Sequence, residues 1–254
     1  ADLIQSYDTN GYTWGSNNKG NASTSYVSWS WKAAGIPSIN TDGSITSLVS
    51  ANQAAGFSIA KWTANATTLT AGHGLGVIPD LVILKVTTTA DSWFVNSSAL
   101  TNQTDKALRL NENSAEETNS GFWNNTAPTS TTISVGNGVS VSGQSYIAYS
   151  FKSITGYSKV GTYTGNGTAG HNITTGFAAG FLMIKRTSES GNWYMFDNKR
   201  TTGVYSDQLI ANTNGSEATG TYVSINATGF ALNTAASGLN DSSAKFIYLA
   251  IKEN

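Results

Sequence analysis

Few residues in this chain could act as general acids, general bases or zinc ligands. The two histidines are His73, in the string Gly-His-Gly-Leu-Gly, and His171, in Gly-His-Asn, and there is no cysteine. A zinc site brings together three or four nitrogen, sulfur or carboxylate ligands, yet neither histidine has an acidic residue at ligand spacing. We therefore expect both histidines to have structural or turn roles, and we expect no metal centre built on them.

The only adjacent pair of carboxylates is Glu116-Glu117. Glycoside hydrolysis needs two carboxylates that flank one bond, whereas neighbours on an extended segment point to opposite faces. We therefore expect the pair to lie in a solvated loop, assign no catalytic residue and expect no enzyme. Loop oxygens of Asp and Asn could hold a structural calcium ion, although no Asp-x-Asp-x-Asp-Gly loop is present. No other cofactor is expected.

The best candidate for ligand binding is an aromatic residue among loop-forming residues, Trp123-Asn124-Asn125. An exposed tryptophan beside asparagine could stack on a sugar ring. Two alternatives are a hydrophobic plug beneath a loop and a contact between protomers. The sequence leaves all three open.

Three apolar blocks recur after 100 residues. The shift superimposes residues 81–85 on 181–185, 93–95 on 193–195, and 146–152 on 246–252. One register kept over about 70 residues predicts a supersecondary unit that is used twice. Such an array favours a scaffold or display protein over a single active site.

A partial copy of the same pattern opens the chain. Residues 1–32 are predicted to be the C-terminal part of an incomplete repeat, because residues 26–32 match the pattern of 146–152. Residues 33–56 are small, polar and aperiodic, and are predicted to be a linker. Two complete repeats should follow, at 57–152 and 153–254.

Three tryptophans in the partial copy, Trp14, Trp29 and Trp31, occupy positions that are aliphatic or smaller aromatic in the later copies. Large aromatic side chains are frequent anchors of protein interfaces. We therefore name these three as candidate oligomer contacts.

Alternation with a period of two dominates the readable segments. In the strand that should end the first complete repeat, Ile147, Tyr149 and Phe151 share one face, and Ala148 and Ser150 share the other. The apolar blocks at 81–84 and 181–184 suit strands covered on both faces. These patterns predict an all-β fold of tandem antiparallel β-sandwich repeats, jelly-roll-like and about 100 residues each.

The composition argues against several classes of partner. Charged residues make up 11% of the 254 residues, and the formal net charge is -1. A nearly neutral chain has no field that would attract nucleic acid or an anionic membrane. No apolar run approaches the length of a membrane span. We expect neither nucleic acid nor a membrane as a partner.

Five blocks of the chain, at 25–33, 56–59, 73–76, 156–167 and 197–200, form a recognisable set, and the most specific is Gly-Tyr-Ser-Lys-Val-Gly-Thr-Tyr-Thr-Gly-Asn-Gly at 156–167. These blocks resemble a repeat of unknown function in virion structural and tail-fibre proteins of tailed bacteriophages, particularly marine and cyanobacterial ones. In those proteins the repeat often stands beside a concanavalin A-like or laminin G-like lectin domain. The resemblance implies a β-sandwich on a virus particle and carries over no catalytic or ligand-binding residue.

These observations predict a non-enzymatic protein of the virion surface, outside the cell: a fibre, tail or capsid-decoration component that presents loops for host attachment. Its expected partners are further copies of itself, other virion proteins and a host surface glycan. A secreted or cell-surface carbohydrate-binding module or adhesin is the alternative. A glycan depolymerase would need an acidic cleft, which the sequence does not indicate.

Overall fold

The N-terminal part of the chain forms a small unit of its own. The computed structural model describes residues 4–9, 11–16, 23–200 and 205–253, and the chain divides into units at 1–31 and 32–254. In the first unit β1 (Ile4–Asp8) pairs antiparallel with β2 (Gly11–Trp14). Residues 26–32, expected to match a strand, are not one. Alternating side chains are insufficient, because a strand also requires a ladder of backbone hydrogen bonds.

The second unit begins with an eight-stranded antiparallel sheet, here called sheet I. Its spatial order is β10-β9-β8-β7-β12-β5-β4-β3, and β6 and β11 form a separate two-stranded ribbon. The elements are β3 (Ser38–Asn40), β4 (Ser47–Asn52), a 3-10 turn (Gln53–Ala55), β5 (Phe57–Thr63), β6 (Leu69–Gly72), β7 (Leu81–Val86), β8 (Trp93–Ser97), β9 (Lys106–Arg109), β10 (Glu117–Thr118), α1 (Ser120–Trp123), β11 (Thr132–Val135) and β12 (Ser145–Phe151).

A second eight-stranded antiparallel sheet, sheet II, follows in the order β13-β20-β15-β16-β17-β18-β19-β14. The elements are β13 (Ser158–Thr164), β14 (His171–Thr174), β15 (Ala179–Arg186), β16 (Trp193–Asp197), β17 (Tyr205–Ile210), β18 (Ala218–Asn226), β19 (Gly229–Leu232), α2 (Ser237–Asn240) and β20 (Lys245–Lys252). Its edge strands are β13 and β14, and Lys159 Nζ donates to the carbonyl of Thr174 at 2.9 Å. This bond nearly closes the sheet.

The two sheets share a strand order. The spatial order β5-β12-β7-β8-β9-β10 in sheet I matches the spatial order β13-β20-β15-β16-β17-β18 in sheet II. The ribbon β6–β11 likewise matches the pair β14–β19. The prediction of an all-β fold is confirmed, since the described helices are single turns. No helix among the described residues is long and apolar enough to cross a membrane.

Two apolar clusters follow from the alternation of side chains. The first lies between sheet I and the ribbon and includes Leu84, Ala148 and Ile133. The second lies inside sheet II and includes Ile184 and Phe230. Residues on both faces of β7 and β15 are buried at 81–84 and 181–184, as continuously apolar strands predict.

The prediction that residues 33–56 are a linker is wrong for much of the segment, because β3 and β4 lie in it and β4 pairs with β5. The apolar pattern does not reveal β4, because two of its buried positions are serines. Ser47 and Ser50 are buried and donate through Oγ to the carbonyls of Gly72 at 2.8 Å and Gly35 at 2.9 Å. A hydroxyl that donates to the backbone can be buried without an apolar pattern.

The junction between the sheets, residues 152–158, is held by short polar contacts. Asp80 pairs with Lys152 Nζ at 3.0 Å and accepts from the backbone N–H of Ser153 at 2.8 Å. Ser158 Oγ donates to the carbonyl of Lys152 at 3.1 Å, and Ile154 N–H donates to the carbonyl of Ser158 at 3.0 Å. Hydrogen bonds therefore hold the short junction where the chain passes from sheet I to sheet II.

Candidate functional site

Trp123, the predicted sugar-stacking residue, is buried. It ends α1, and the side chain of Asn119 caps that helical turn by accepting from Gly121 N–H. The indole is 2% exposed, packs in the first apolar cluster and donates from Nε1 to the carbonyl of Lys106 at 2.8 Å. The ring therefore cannot stack on a ligand at the surface, and that prediction is wrong. Its role fits the alternative of a plug beneath a loop.

Asn124 and Asn125 directly follow this plug and are exposed. Both have left-handed backbone conformations, with φ of 54° and 50°, which asparagine tolerates better than most residues. Beside them, a fissure lined by Val82, Asn96 and Trp123 is too narrow to admit a water molecule. The two amide side chains therefore offer a surface for contact and not a pocket.

Both histidines make local contacts of the kind expected for structural roles. His73 is fully buried; its Nδ1 accepts from Leu75 N–H at 3.2 Å, and its Nε2 lies 3.2 Å from the carbonyl of Thr129. Burial lowers the pKa of His73 below its usual value, which favours the neutral ring. Because Nδ1 accepts a hydrogen bond, the proton of the neutral ring lies on Nε2, which donates a hydrogen bond to the carbonyl of Thr129. His171 is half-buried, and its Nδ1 lies 3.1 Å from Oδ1 of Asn240.

The adjacent carboxylates turn to different partners. Glu116 pairs with Lys106 at 3.4 Å, and Glu117 pairs with Arg109 at 3.0 Å. This separation follows from the alternation of side chains on extended backbone. Among the described residues there is no group of three His, Cys, Asp or Glu that could hold a metal ion; the possible calcium ion stays a prediction.

The tryptophans near the N-terminus were named as oligomer contacts. In the first unit, half-buried Trp14 meets Tyr12 edge-on, with ring centroids 5.2 Å apart, and lies 5.7 Å from Tyr26. Trp29 and Trp31 are also half-buried. Their role in oligomers stays a prediction.

The sequence did not reveal a contact between the two sheets, here called the inter-sheet contact. Trp193 Nε1 donates to the carbonyl of Arg109 at 2.8 Å. Two backbone bonds flank it: Glu116 N–H to the carbonyl of Thr187 at 2.9 Å, and Gly191 N–H to the carbonyl of Asn113 at 2.8 Å. Because two of the bonds join backbone groups and the third has a carbonyl acceptor, residue types carry little signal for them.

Apolar burial accompanies these hydrogen bonds. In sheet I, Val95 and Leu108 are 0% exposed although they lie outside the first apolar cluster. In sheet II, Trp193, Ile247 and Lys185 are 1%, 3% and 0% exposed and lie outside the second cluster. We infer that these outward faces cover one another beside the hydrogen bonds.

Lys185 is a buried cation in this region. Its Nζ donates to the carbonyl of Arg186 at 2.6 Å. Burial, aided by the nearby charge of Arg186, lowers the pKa of Lys185 to about 8. A backbone carbonyl stabilises the ammonium less than a carboxylate would, so protonation of Lys185 opposes folding.

Comparisons with known proteins give a family but no described activity. A search of curated proteins and a search of solved structures return no significant match. A family model described as a domain of unknown function, DUF7483, matches residues 1–254. The match covers the whole sequence, and the chain therefore belongs to the DUF7483 family.

Proposed function

We propose that this chain is a non-enzymatic structural protein of a phage virion surface, a fibre, tail or capsid-decoration component that presents loops for host attachment. The observation that carries the proposal is the inter-sheet contact. It joins two sheets of the same strand order through hydrogen bonds at Arg109, Asn113 and Glu116. Sheets joined in this way hold their loops at fixed separations, which suits a scaffold for display.

We further propose that the two sheets belong to tandem sandwich repeats of one unit, with a boundary near residue 153. Corresponding lysines make the same unusual bond in both: Lys85 Nζ donates to the carbonyl of Val86 at 2.7 Å, and Lys185 Nζ to that of Arg186 at 2.6 Å. This agreement, together with the common strand order, supports duplication.

The surface chemistry also favours an extracellular structural role. Only 11% of the residues are charged, and the formal net charge is -1, so polar uncharged side chains must supply much of the contact with water. The resemblance to repeats of phage virion and tail-fibre proteins points the same way. Host attachment would then use many weak contacts, strengthened by multivalency.

Host glycan is the ligand class proposed for the exposed loops, with Asn124 and Asn125 as the candidate contacts. Their exposed amides can donate to and accept from sugar hydroxyls. The same pair would serve a secreted or cell-surface carbohydrate-binding module or adhesin, which is the second candidate function.

Trp14, Trp29 and Trp31 are proposed to contribute to a homo-oligomer. Light scattering on the chain, and on a variant lacking residues 1–32, tests this role. We expect the shortened variant to contain fewer chains per particle. An unchanged number of chains per particle would remove these tryptophans from the interface.

Immunogold electron microscopy tests the proposed location. Antibodies raised against the purified chain should label the surface of phage particles from lysates of the strain that encodes it. Labelling of uninfected cell envelopes instead would favour the adhesin. Release of reducing ends from host polysaccharide would overturn both readings in favour of a depolymerase.

A further inference from the structure

The inter-sheet contact joins positions that do not correspond in the two sheets. Sheet I contributes residues 109–116, from the last residue of β9 to the end of the loop before β10. Sheet II contributes residues 187–193, from the loop after β15 to the first residue of β16. An interface between unlike patches is heterologous, and it leaves one unused patch at each end.

Two matching hydrogen bonds from backbone N–H groups to asparagine side chains identify the unused patch of sheet I. Trp193 N–H donates to Asn212 Oδ1 at 2.8 Å, and Trp93 N–H donates to Asn111 Oδ1 at 2.8 Å. Trp93 therefore corresponds to Trp193, and residues 87–93 correspond to 187–193.

The same register defines the unused patch of sheet II. Ala211 N–H donates to the carbonyl of Trp193 at 3.0 Å, just as Leu110 N–H donates to that of Trp93 at 2.9 Å. Residues 210–217 of sheet II therefore correspond to residues 109–116 of sheet I.

Side chains of the patch that forms the inter-sheet contact are more buried than their counterparts in the unused patch, as expected if the unused patch lacks its partner. Lys185, Trp193 and Ile247 are 0%, 1% and 3% exposed. Their counterparts Lys85, Trp93 and Ile147 are all only half-buried. Residue 187 is buried, whereas residue 87 is exposed.

The loop of sheet II shows the complementary difference. Residues 114–116, which meet sheet II, are half-buried, whereas their counterparts 215–217 are exposed. The acceptor also has a counterpart. The carbonyl of Arg109 accepts from Glu112 N–H at 3.1 Å and from Trp193, while that of Ile210 accepts from Thr213 N–H at 3.4 Å.

We propose that a second copy of this chain occupies these patches, residues 210–217 of one copy docking on residues 87–93 of the next. Trp93 Nε1, which bonds to none of the described residues, would donate to the carbonyl of Ile210 as Trp193 does to Arg109. Because the contact is heterologous, it repeats head to tail and can build a filament or ring. This inference rests on the proposed function, for which it names the partner.

Disulfide trapping tests the contact, since the chain has no cysteine. Asp91 and Asn214 correspond to Gly191 and Asn113, whose backbone groups are 2.8 Å apart in the inter-sheet contact. Under mild oxidation, a mixture of Asp91→Cys and Asn214→Cys chains should form a covalent dimer, which mass spectrometry identifies as one chain of each kind. Each variant alone should give at least tenfold less dimer.

The matched control replaces the docking loop by an unrelated exposed site. Val141 is 55% exposed, and Asp91→Cys mixed with Val141→Cys should give only the background yield. Equal yields in the two mixtures would overturn the proposal.

Sedimentation of the full chain supplies a second measurement that does not depend on cysteine chemistry. Trp93→Ala should weaken self-association at least tenfold, while Val141→Ala should not change it; circular dichroism checks that both variants fold. Self-association unaffected by Trp93→Ala would also overturn the proposal. If it fails while antibodies still label the particles, the proposed function stands and only the docking mode is wrong.

Discussion

Trp193 of sheet II donates from its indole Nε1 to the backbone carbonyl of Arg109 in sheet I, at 2.8 Å. The indole is 1% exposed, so bulk water cannot replace this bond without local opening. The Arg109 carbonyl also accepts from Glu112 N–H at 3.1 Å, so loss of the indole donor would remove the bond between the sheets without leaving this carbonyl unpaired. The Trp193 side chain therefore links the two sheets both by packing and by a hydrogen bond.

Replacing Trp193 with phenylalanine should destabilise the fold by about 1 to 3 kcal/mol, because the smaller ring removes both the N–H donor and part of the buried contact. Urea unfolding at low protein concentration measures the change. Trp93→Phe is the matched control, since half-buried Trp93 makes no such bond to the described residues. Equal effects of the two substitutions would contradict an energetic role for the bond to Arg109.

Lys185 should make stability rise with pH above about 8. Its pKa is about 8 in the fold and 10.5 ordinarily, so the unfolded chain binds more protons between these values. The free energy of unfolding should then increase with a limiting slope of about 1.4 kcal/mol per pH unit. Urea titrations at pH 7.5 to about 9 measure it, because the tyrosines of the unfolded chain, with pKa near 10, stay largely protonated in that range.

Lys185→Met should remove this rise and stabilise the fold at neutral pH, because no buried charge remains. Lys85→Met, at the corresponding half-buried position of sheet I, should leave the rise in place. A rise that persists in Lys185→Met would assign it to another group.

His73 should make stability fall on acidification. Burial lowers its pKa below 6.5, so below about pH 6.5 the unfolded chain takes up a proton that the folded chain resists. The free energy of unfolding should decrease from pH 7 to pH 5, and His73→Ala should remove that part of the decrease. Loss of the bond to Thr129 should also lower stability at pH 7 by about 1 to 3 kcal/mol. His171→Ala, at a half-buried site, is the control and should leave the decrease caused by His73 in place.

Trp123→Ala should destabilise the fold by about 3 to 5 kcal/mol, because it empties a core position. Thermal unfolding measures this loss.

If glycan binding is found, Asn124→Gly and Asn125→Gly should weaken that binding with little change in stability, since glycine accepts their positive φ. Binding that survives both asparagine substitutions would exclude this loop as the contact.

The strands could be predicted from sequence where apolar side chains alternate or run continuously, as at 145–151 and at 81–84. Trp123 shows where this reasoning stops. Its neighbours are loop formers, yet a single helical turn capped by Asn119 directs the indole into the core. The inter-sheet contact was out of reach for a different reason. Trp193 and Arg109 are distant in sequence, and the acceptor is a carbonyl that any residue would provide.

The bonded junction at residues 152–158 also has a mechanical consequence. Tension passing along the chain from Phe151 to Ser158 would first load the bonds of Asp80 to Lys152 and Ser153, and the bond of Ser158 Oγ to the Lys152 carbonyl. These short side-chain bonds would share the force with the ends of β12 and β13. Under pulling, these bonds would make the junction a stiff coupling between the two sheets rather than a hinge.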